Sequence, residues 1–307
     1  MADHPTVDAI HGKVAARLRE AGIESPRFEA RLLIAHAMGV EPGYLLGHSD
    51  HRFAAEEADA AEDFAQRRAN WEPMAYITGR REFWSLDFRV TPDTLIPRPD
   101  SETLIEAALE WIPSREASLS LLDLGTGSGC LLLALLSELP MAEGLGVDIS
   151  AAACAVARAN ADRLGLALRS SFVVGDWAAA MGEARFDLAV VNPPYVPAAD
   201  AATMDDGITR FEPPGAVFAE VDGLAAYRVL APSLIRVLRP GGRAVIELGA
   251  GQAEVVQRIF VSHGFEAIGR RRDLSGRWRC LVVSRASGVK KGLSSSEKKH
   301  CKLGAGS

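Results

Sequence analysis

Ten consecutive residues, Leu121-Leu122-Asp123-Leu124-Gly125-Thr126-Gly127-Ser128-Gly129-Cys130, restrict this 307-residue chain to few architectures. The first four read as a buried strand and the glycines as a tight turn, with the apolar residues 131–136 continuing as a helix. Three glycines in five positions give the backbone φ values closed to other residues and let it pass close beneath a ligand. A buried strand that feeds a helix through such a turn is a unit of open α/β sheets, whose ligands bind beyond the carboxyl ends of the strands.

A glycine turn alone suits a nicotinamide dinucleotide equally well. Two details separate this one: the spacing is G-x-G-x-G rather than G-x-G-x-x-G, and Asp123 stands two positions before the first glycine. Asp123 suits the amino group of an amino-acid-like ligand, which S-adenosylmethionine has and a dinucleotide lacks. More strand ends follow in order. Residues 144–147 end at Asp148, whose carboxylate is placed to accept both ribose hydroxyls, with Ile149 beside it as a further cofactor candidate. Residues 171–174 end at Gly175-Asp176-Trp177, where Asp176 can accept from an adenine amino group and Trp177 can pack beside the ring. Either aspartate alone also fits a helix cap after a strand. It is the ordered series, each member at a strand end, that selects cofactor binding.

A second feature prescribes chemistry. Residues 186–191 read as another buried strand, and Asn192-Pro193-Pro194-Tyr195 stands at its carboxyl end. An amide or exocyclic amino nitrogen is planar, and its delocalised lone pair attacks carbon poorly. A site that alkylates it must accept both N–H hydrogens and leave the lone-pair face toward the electrophile. The Asn192 side-chain carbonyl can accept one, and a main-chain carbonyl of the proline pair, such as that of Pro193, the other. Tyr195 offers a flat face for stacking. A plain turn closing a strand fits the same four residues.

Four segments together resemble the peptide chain release factor glutamine methyltransferases: residues 96–102 (I-P-R-P-D-S-E), 122–129, 192–195 and 210–213 (R-F-E-P). The resemblance runs from about Trp71 to Ser284. It implies a class I methyltransferase domain, a doubly wound, mostly parallel seven-stranded sheet with an antiparallel final strand, behind a small N-terminal helical domain. It also implies S-adenosyl-L-methionine as cofactor, S-adenosyl-L-homocysteine as product, and N5-methylation of the glutamine in the Gly-Gly-Gln loop of release factors. Cofactor positions then fall on Gly125, Thr126, Gly127, Ser128, Gly129, Asp148, Trp177 and Asn192, and Asp123, Ile149 and Asp176 are further candidates. Substrate positions fall on Asn192, Pro193, Pro194 and Tyr195, with Asn192, Pro193 and Tyr195 as the catalytic set and no metal. Ser128 replaces the threonine of some members and keeps the hydroxyl. The Asn-Pro-Pro-Tyr pattern also occurs in adenine N6 or guanine N2 methyltransferases of nucleic acids, which stay open as the alternative. A silent cofactor-binding scaffold is a third reading, and the intact tetrapeptide speaks against it.

Charge weighs on that choice. Net charge is −6, but the five lysines after residue 288 against Glu297 make the tail +4, so the rest of the chain carries −10. An acidic body matches a nucleic-acid backbone poorly, and no direct nucleic-acid binding is expected. Arg270-Arg271-Arg272 is the one local patch, and a solvated strand end accounts for it too. No apolar run reaches membrane-spanning length, no signal-like start is present, and the four cysteines form no C-x-x-C pair. Together these indicate a cytoplasmic setting.

Organisation follows from composition and periodicity. Residues 1–75 form a helical substrate-docking domain with helices over 7–21, from Pro26 to Gly39, and over 54–69. Residues 76–98 make a strand or hairpin linker, 99–286 the catalytic domain, and 287–307 a disordered basic tail. Asp100 or Ser101 caps a helix reaching Trp111, while Arg98, fixed between two prolines, either contacts ligand or anchors the domain junction. Arg239-Pro240-Gly241-Gly242 stops a helix before a strand over 243–248, and residues 197–221 cover the site.

Overall fold

The structure is a computed structural model and describes residues 5–219 and 222–287. The expected basic tail beyond Ser287 lies outside the described residues.

Five helices open the chain: α1 (Val7–Glu20), α2 (Pro26–Met38), α3 (Tyr44–Gly47), α4 (Ala55–Ala69) and α5 (Met74–Thr78). They enclose a core of their own that includes Leu18, Leu33, Ile34, Phe53 and Ile77. Two of the five, α3 and α5, are short turns that the apolar periodicity did not announce. Helix α2 begins at Pro26 and ends on left-handed Gly39 (φ 65°), although Ser25 makes no side-chain capping bond. Strands β1 (Arg80–Phe83) and β2 (Leu86–Arg89) then form a hairpin. Its turn places Trp84 (φ 54°) and Ser85 (φ 58°) in the left-handed region, the geometry that matches strand twist. Carboxylates hold this strained turn: Glu102 accepts the Trp84 N–H at 2.8 Å and Glu82 the Ser85 N–H at 2.6 Å.

The second layer system alternates strand and helix. A tight turn over Pro99–Ser101 leads into α6 (Glu102–Glu110), followed by β3 (Ser120–Leu124), α7 (Cys130–Glu138), β4 (Glu143–Asp148), α8 (Ala151–Arg163), β5 (Ser170–Val174) and β6 (Phe186–Val191). Next come β7 (Val196–Pro197), α9 (Asp206–Phe211), α10 (Pro214–Val217), β8 (Phe218–Ala219), α11 (Ala225–Val237), β9 (Leu238–Glu247), α12 (Ala253–Ser262), β10 (Phe265–Arg272) and β11 (Trp278–Arg285). Seven strands join in the order β10-β11-β9-β6-β3-β4-β5. Strands β5, β4, β3, β6 and β9 run parallel, and β11 pairs antiparallel with both β9 and β10. The doubly wound sheet with its antiparallel last strand is therefore present, and two apolar cores cover its two faces.

Two local expectations need correction. Arg239-Pro240-Gly241-Gly242 does not precede the strand but lies inside β9, where the register with β6 jumps from Phe186↔Leu238 to Leu188↔Arg243. Gly241 at φ 80° lets the chain bulge there and rejoin the ladder, so a breaker sequence is absorbed by an irregular strand. Ser101 does precede α6 but makes no capping bond, because its hydroxyl points into the sheet edge and donates to Glu247.

Asn160, fully buried on α8, ties the hairpin to the glycine turn. Its Nδ2 donates to the carbonyls of Arg89 and Ser128, both at 2.9 Å, and its Oδ1 accepts the Arg89 N–H at 2.7 Å.

Candidate active site

The carboxyl ends of β3, β4, β5 and β6 open onto a cavity of ≈ 540 Å³. The turn after β3 forms its floor. Gly125, Gly127 and Gly129 have φ values of 75°, 53° and 81°, so all three sit where a side chain is disfavoured. The turn is strapped to β4: the N–H groups of Gly125 and Thr126 both donate to the Val147 carbonyl, at 2.8 and 2.9 Å, and the Gly127 N–H donates to Asp148 Oδ2 at 2.8 Å. The other Asp148 oxygen accepts the Ser150 N–H at 2.9 Å, and Ser150 in turn caps α8. Asp148 thus holds the loop and starts the helix while still facing the cavity. Trp177 stands opposite in the left-handed region (φ 46°), and a Cβ on Gly125 would lie 3.5 Å from its ring.

Gly125, Thr126, Gly127, Ser128, Asp148, Ile149, Asp176, Trp177, Asn192 and Pro194 all line this cavity. Asp123 does not. It lies beneath the loop at 1% exposure, where Oδ2 accepts the Thr126 hydroxyl at 2.7 Å and Oδ1 has no partner. Burial is the main cause that pushes the Asp123 carboxyl up to about 7, and nearby Asp148 adds to it against the Thr126 bond. Gly129 also lies off the wall: it starts α7, packed against Ala157, Leu133 and Phe172.

A second cavity of ≈ 370 Å³ adjoins the first, and Arg98 and Asn192 belong to both walls. Pro193 and Tyr195 line only the second. The Tyr195 ring is partly buried against the core, its hydroxyl donates to Glu247 Oε1 at 3.1 Å, and its carbonyl accepts from Gln252 Nε2 at 3.0 Å. Burial and the adjacent carboxylate push the Tyr195 phenol well above its usual range. This keeps it a neutral hydrogen-bond donor.

The segment over 198–219 is structured rather than a plain loop. Its α9 and α10 supply Ile208, Ala216 and Val217 to the second cavity, and Pro213 and Ala216 reach the first. Glu212, 4% exposed, pairs with Arg98 at 2.6 Å and accepts the Ile96 N–H at 3.3 Å. Arg98 therefore anchors this covering segment and faces both cavities as well.

Sequence reasoning missed Glu247 and underrated Ser101. Glu247 ends β9 at 1% exposure and accepts the Ser101 hydroxyl at 2.6 Å. Ser101 Oγ in turn accepts from Asn192 Nδ2 at 3.4 Å. The rule that picked out Asp148, a carboxylate closing an apolar strand, applies equally to Glu247 after Ala244-Val245-Ile246.

Arg270-Arg271-Arg272 does not form a free basic patch. Arg270 pairs with Glu254 at 2.9 Å and lies over Trp278, Arg271 pairs with Glu110, and Arg272 also lies over Trp278 and donates to the Gly276 carbonyl. Among the described residues, no helix is long and apolar enough to cross a membrane.

Two family models match the chain: a PrmC N-terminal domain over residues 12–79 and a methyltransferase domain over residues 115–267. A release factor glutamine methyltransferase of Rhodospirillum rubrum is 46% identical over 271 residues, covering 88% of this chain and 82% of that protein. One from Caulobacter vibrioides is 40% identical over 279 residues, covering 91% and 94%. Among solved structures, a methyltransferase from Pyrococcus furiosus is 16% identical, covers 72% of this chain and 98% of its own, and superposes with a TM-score of 0.48.

Proposed function

The chain belongs to the release factor glutamine methyltransferase family, and from that premise we propose how its residues carry the reaction. The enzyme transfers a methyl group from S-adenosylmethionine to the side-chain amide nitrogen of the glutamine in the Gly-Gly-Gln motif of peptide chain release factors. The observation that carries the assignment is the position of Asn192: it belongs to the walls of both cavities, and its Oδ1 accepts no hydrogen bond from any described residue.

The first cavity suits the cofactor. Its floor is backbone held at left-handed φ values, 75° at Gly125 and 53° at Gly127, where a side chain would be strained. Ser128 Oγ on the wall and Asp123 Oδ1 beneath the loop are buried without partners, and a cationic amino group is the donor such acceptors lack. Asp148 takes the ribose hydroxyls, and Asp176 and Trp177 the adenine. The bound cofactor supplies a methyl group on a positively charged sulfur. The chain's own residues supply geometry. Asn192 Oδ1 accepts one amide N–H, the Pro193 carbonyl accepts the other, and the Tyr195 ring limits the tilt of the amide plane. Held this way, the nitrogen presents its lone-pair face to the methyl carbon. A new N–C bond forms as the S–C bond breaks, sulfur keeps the electron pair, and the displaced N–H proton leaves to water. Orientation of this kind is worth up to about 7–11 kcal/mol in well-aligned systems.

The second cavity, beside Pro193 and Tyr195, receives the glutamine loop of the protein substrate. Residues 1–75 serve as its docking domain, and residues 99–286 form the catalytic domain. The setting is the cytoplasm. A nucleic-acid amino group is disfavoured as acceptor because Arg270, Arg271 and Arg272 all have partners and the body of the chain is acidic. The test is incubation of the enzyme with labelled S-adenosylmethionine and, in separate tubes, a release factor, RNA and DNA. Label on the Gly-Gly-Gln glutamine, located by mass spectrometry, is the expected result; label on nucleotides alone would refute it.

A further inference from the structure

Glu247 has no part in the reaction just described, yet its carboxylate meets two elements of the site at once. Oε2 accepts the Ser101 hydroxyl at 2.6 Å and Oε1 accepts the Tyr195 hydroxyl at 3.1 Å. The surroundings hold it in place. Arg279 Nη1 lies 4.0 Å away, and Arg279 is itself bonded to Asp100 at 2.8 Å and Asp273 at 2.9 Å. The Tyr227 hydroxyl donates to the Glu247 main-chain carbonyl at 3.0 Å.

A serine hydroxyl has one hydrogen to donate. Here that hydrogen is committed to Glu247, so Ser101 Oγ can act toward Asn192 only as an acceptor. It accepts from Asn192 Nδ2, which leaves Oδ1 on the opposite side of the amide. Oxygen and nitrogen of a carboxamide are interchangeable in shape, so their order is decided by the polarity of their neighbours. Reversed, the same amide would aim an NH2 group at the NH2 of the substrate, and both would be donors.

We propose that Glu247 is a positioning residue that sets the facing of the Asn192 amide through Ser101 and steadies the far end of the same tetrapeptide through Tyr195. The inference rests on the reading of Asn192 as acceptor of the glutamine N–H. Ser101 is then a polarity relay: an anionic acceptor at one side of it dictates an acceptor, Oδ1, two bonds further on. Protonation of Glu247 undoes this. A neutral carboxyl can donate to Ser101, freeing the serine hydrogen for Asn192 Oδ1 and turning the amide nitrogen toward the substrate. Burial raises the Glu247 carboxyl, while Ser101, Arg279 and Tyr195 oppose the rise and Asp100 adds to it. The partly buried Cys130 thiol and the buried Cys280 thiol are pushed up mainly by burial, and the Glu247 charge adds a little to both.

The experiment compares the full chain with its Glu247→Gln, Ser101→Ala, Ser101→Thr and Asn192→Ala variants, using a release factor as substrate. Turnover at saturating cofactor, KM for the release factor, cofactor Kd by calorimetry, and thermal melting are measured for each. Expected are kcat losses of about tenfold or more in Glu247→Gln and Ser101→Ala, with cofactor Kd changed by less than about twofold, and recovery to within about threefold of wild type in Ser101→Thr. Adding Ser101→Ala to Asn192→Ala should cost nothing further, because the relay then has nothing to orient. Wild-type kcat should fall on the acid side, and Glu247→Gln should abolish that limb. If Glu247→Gln fails to melt cooperatively, the Ser101→Ala and Ser101→Thr pair decides. Folded Glu247→Gln and Ser101→Ala enzymes at wild-type kcat, beside a slow Asn192→Ala, would overturn the relay alone. Normal turnover in Asn192→Ala would overturn the acceptor reading and the relay with it.

Discussion

The glycine turn after β3 and the tetrapeptide after β6 lie side by side on one sheet edge, but they are held in shape by different means. The turn is made by backbone. Its main-chain groups bond within a short stretch of chain: Gly127 N–H to Asp148, 21 residues on, the Gly125 and Thr126 N–H groups to Val147 beside it, and the Ser128 carbonyl to Asn160, 32 residues on. The tetrapeptide is held by side chains from afar: Asn192 to Ser101 spans 91 residues, Tyr195 to Glu247 spans 52, and Ser101 to Glu247 spans 146. A binding surface for a common cofactor can be written locally. A surface that must polarise one planar amide draws its partners from several elements, because each strand end contributes only one or two side chains at the sheet edge.

That contrast predicts where each kind of change acts. The largest effect belongs to Asn192→Ala, which removes a preorganised acceptor: kcat should fall at least ~10²-fold while calorimetry finds cofactor affinity nearly kept. Near-normal turnover would erase the distinction between the two regions. Arg98→Ala comes next. It leaves the Glu212 carboxylate buried with only the Ile96 N–H, and a cost of about 1–3 kcal/mol should appear as a lower melting temperature. Unchanged melting would mean that the covering segment is not anchored there.

Backbone changes should strike the other region. At Gly125 a Cβ meets a φ of 75°, so Gly125→Ala should weaken cofactor binding about tenfold, from a strain of about 1–2 kcal/mol. Its kcat at saturating cofactor should stay within a few-fold of wild type; a collapse of kcat with intact affinity would contradict the division. The smallest effect concerns pH. Asp123 is raised to about 7 in the folded chain, so between the ordinary aspartate range and that pH the folded state holds a proton the unfolded state has released. Its contribution to stability therefore falls as pH rises through this window, and a bound ammonium should restore it. Cofactor Kd should accordingly rise about fivefold from pH 7 to pH 6, and Asp123→Asn should flatten that dependence. A flat wild-type profile would exclude Asp123 from the amino-group site.

How legible the molecule was depended on the range of the interaction. Strand β6 and the loop-to-helix unit of β3 and α7 could be read directly, since an apolar run and glycine spacing are local signals. The β9 bulge could not, because Arg239-Pro240-Gly241-Gly242 looks like a stop until Gly241 is seen to rejoin the ladder beside β6. Ser101 was misread for a related reason. Its position before a helix suggested a cap, and the carboxylate that takes its hydroxyl instead lies 146 residues away. Tyr195 showed its aromatic face in the sequence but not that its hydroxyl is tied to Glu247.

By itself the sequence determined which chemistry is on offer: the glycines that clear room for a cofactor, the carboxylates at strand ends, and an asparagine followed by two prolines. These are properties of single residues and their close neighbours. Tertiary structure decided the polarity of the site, placing Glu247 behind Ser101 and Ser101 behind Asn192, and it decided that Arg98 clasps Glu212 across the covering segment. A hydrogen bond has a direction, and in a folded chain that direction is settled by whatever the sheet brings alongside.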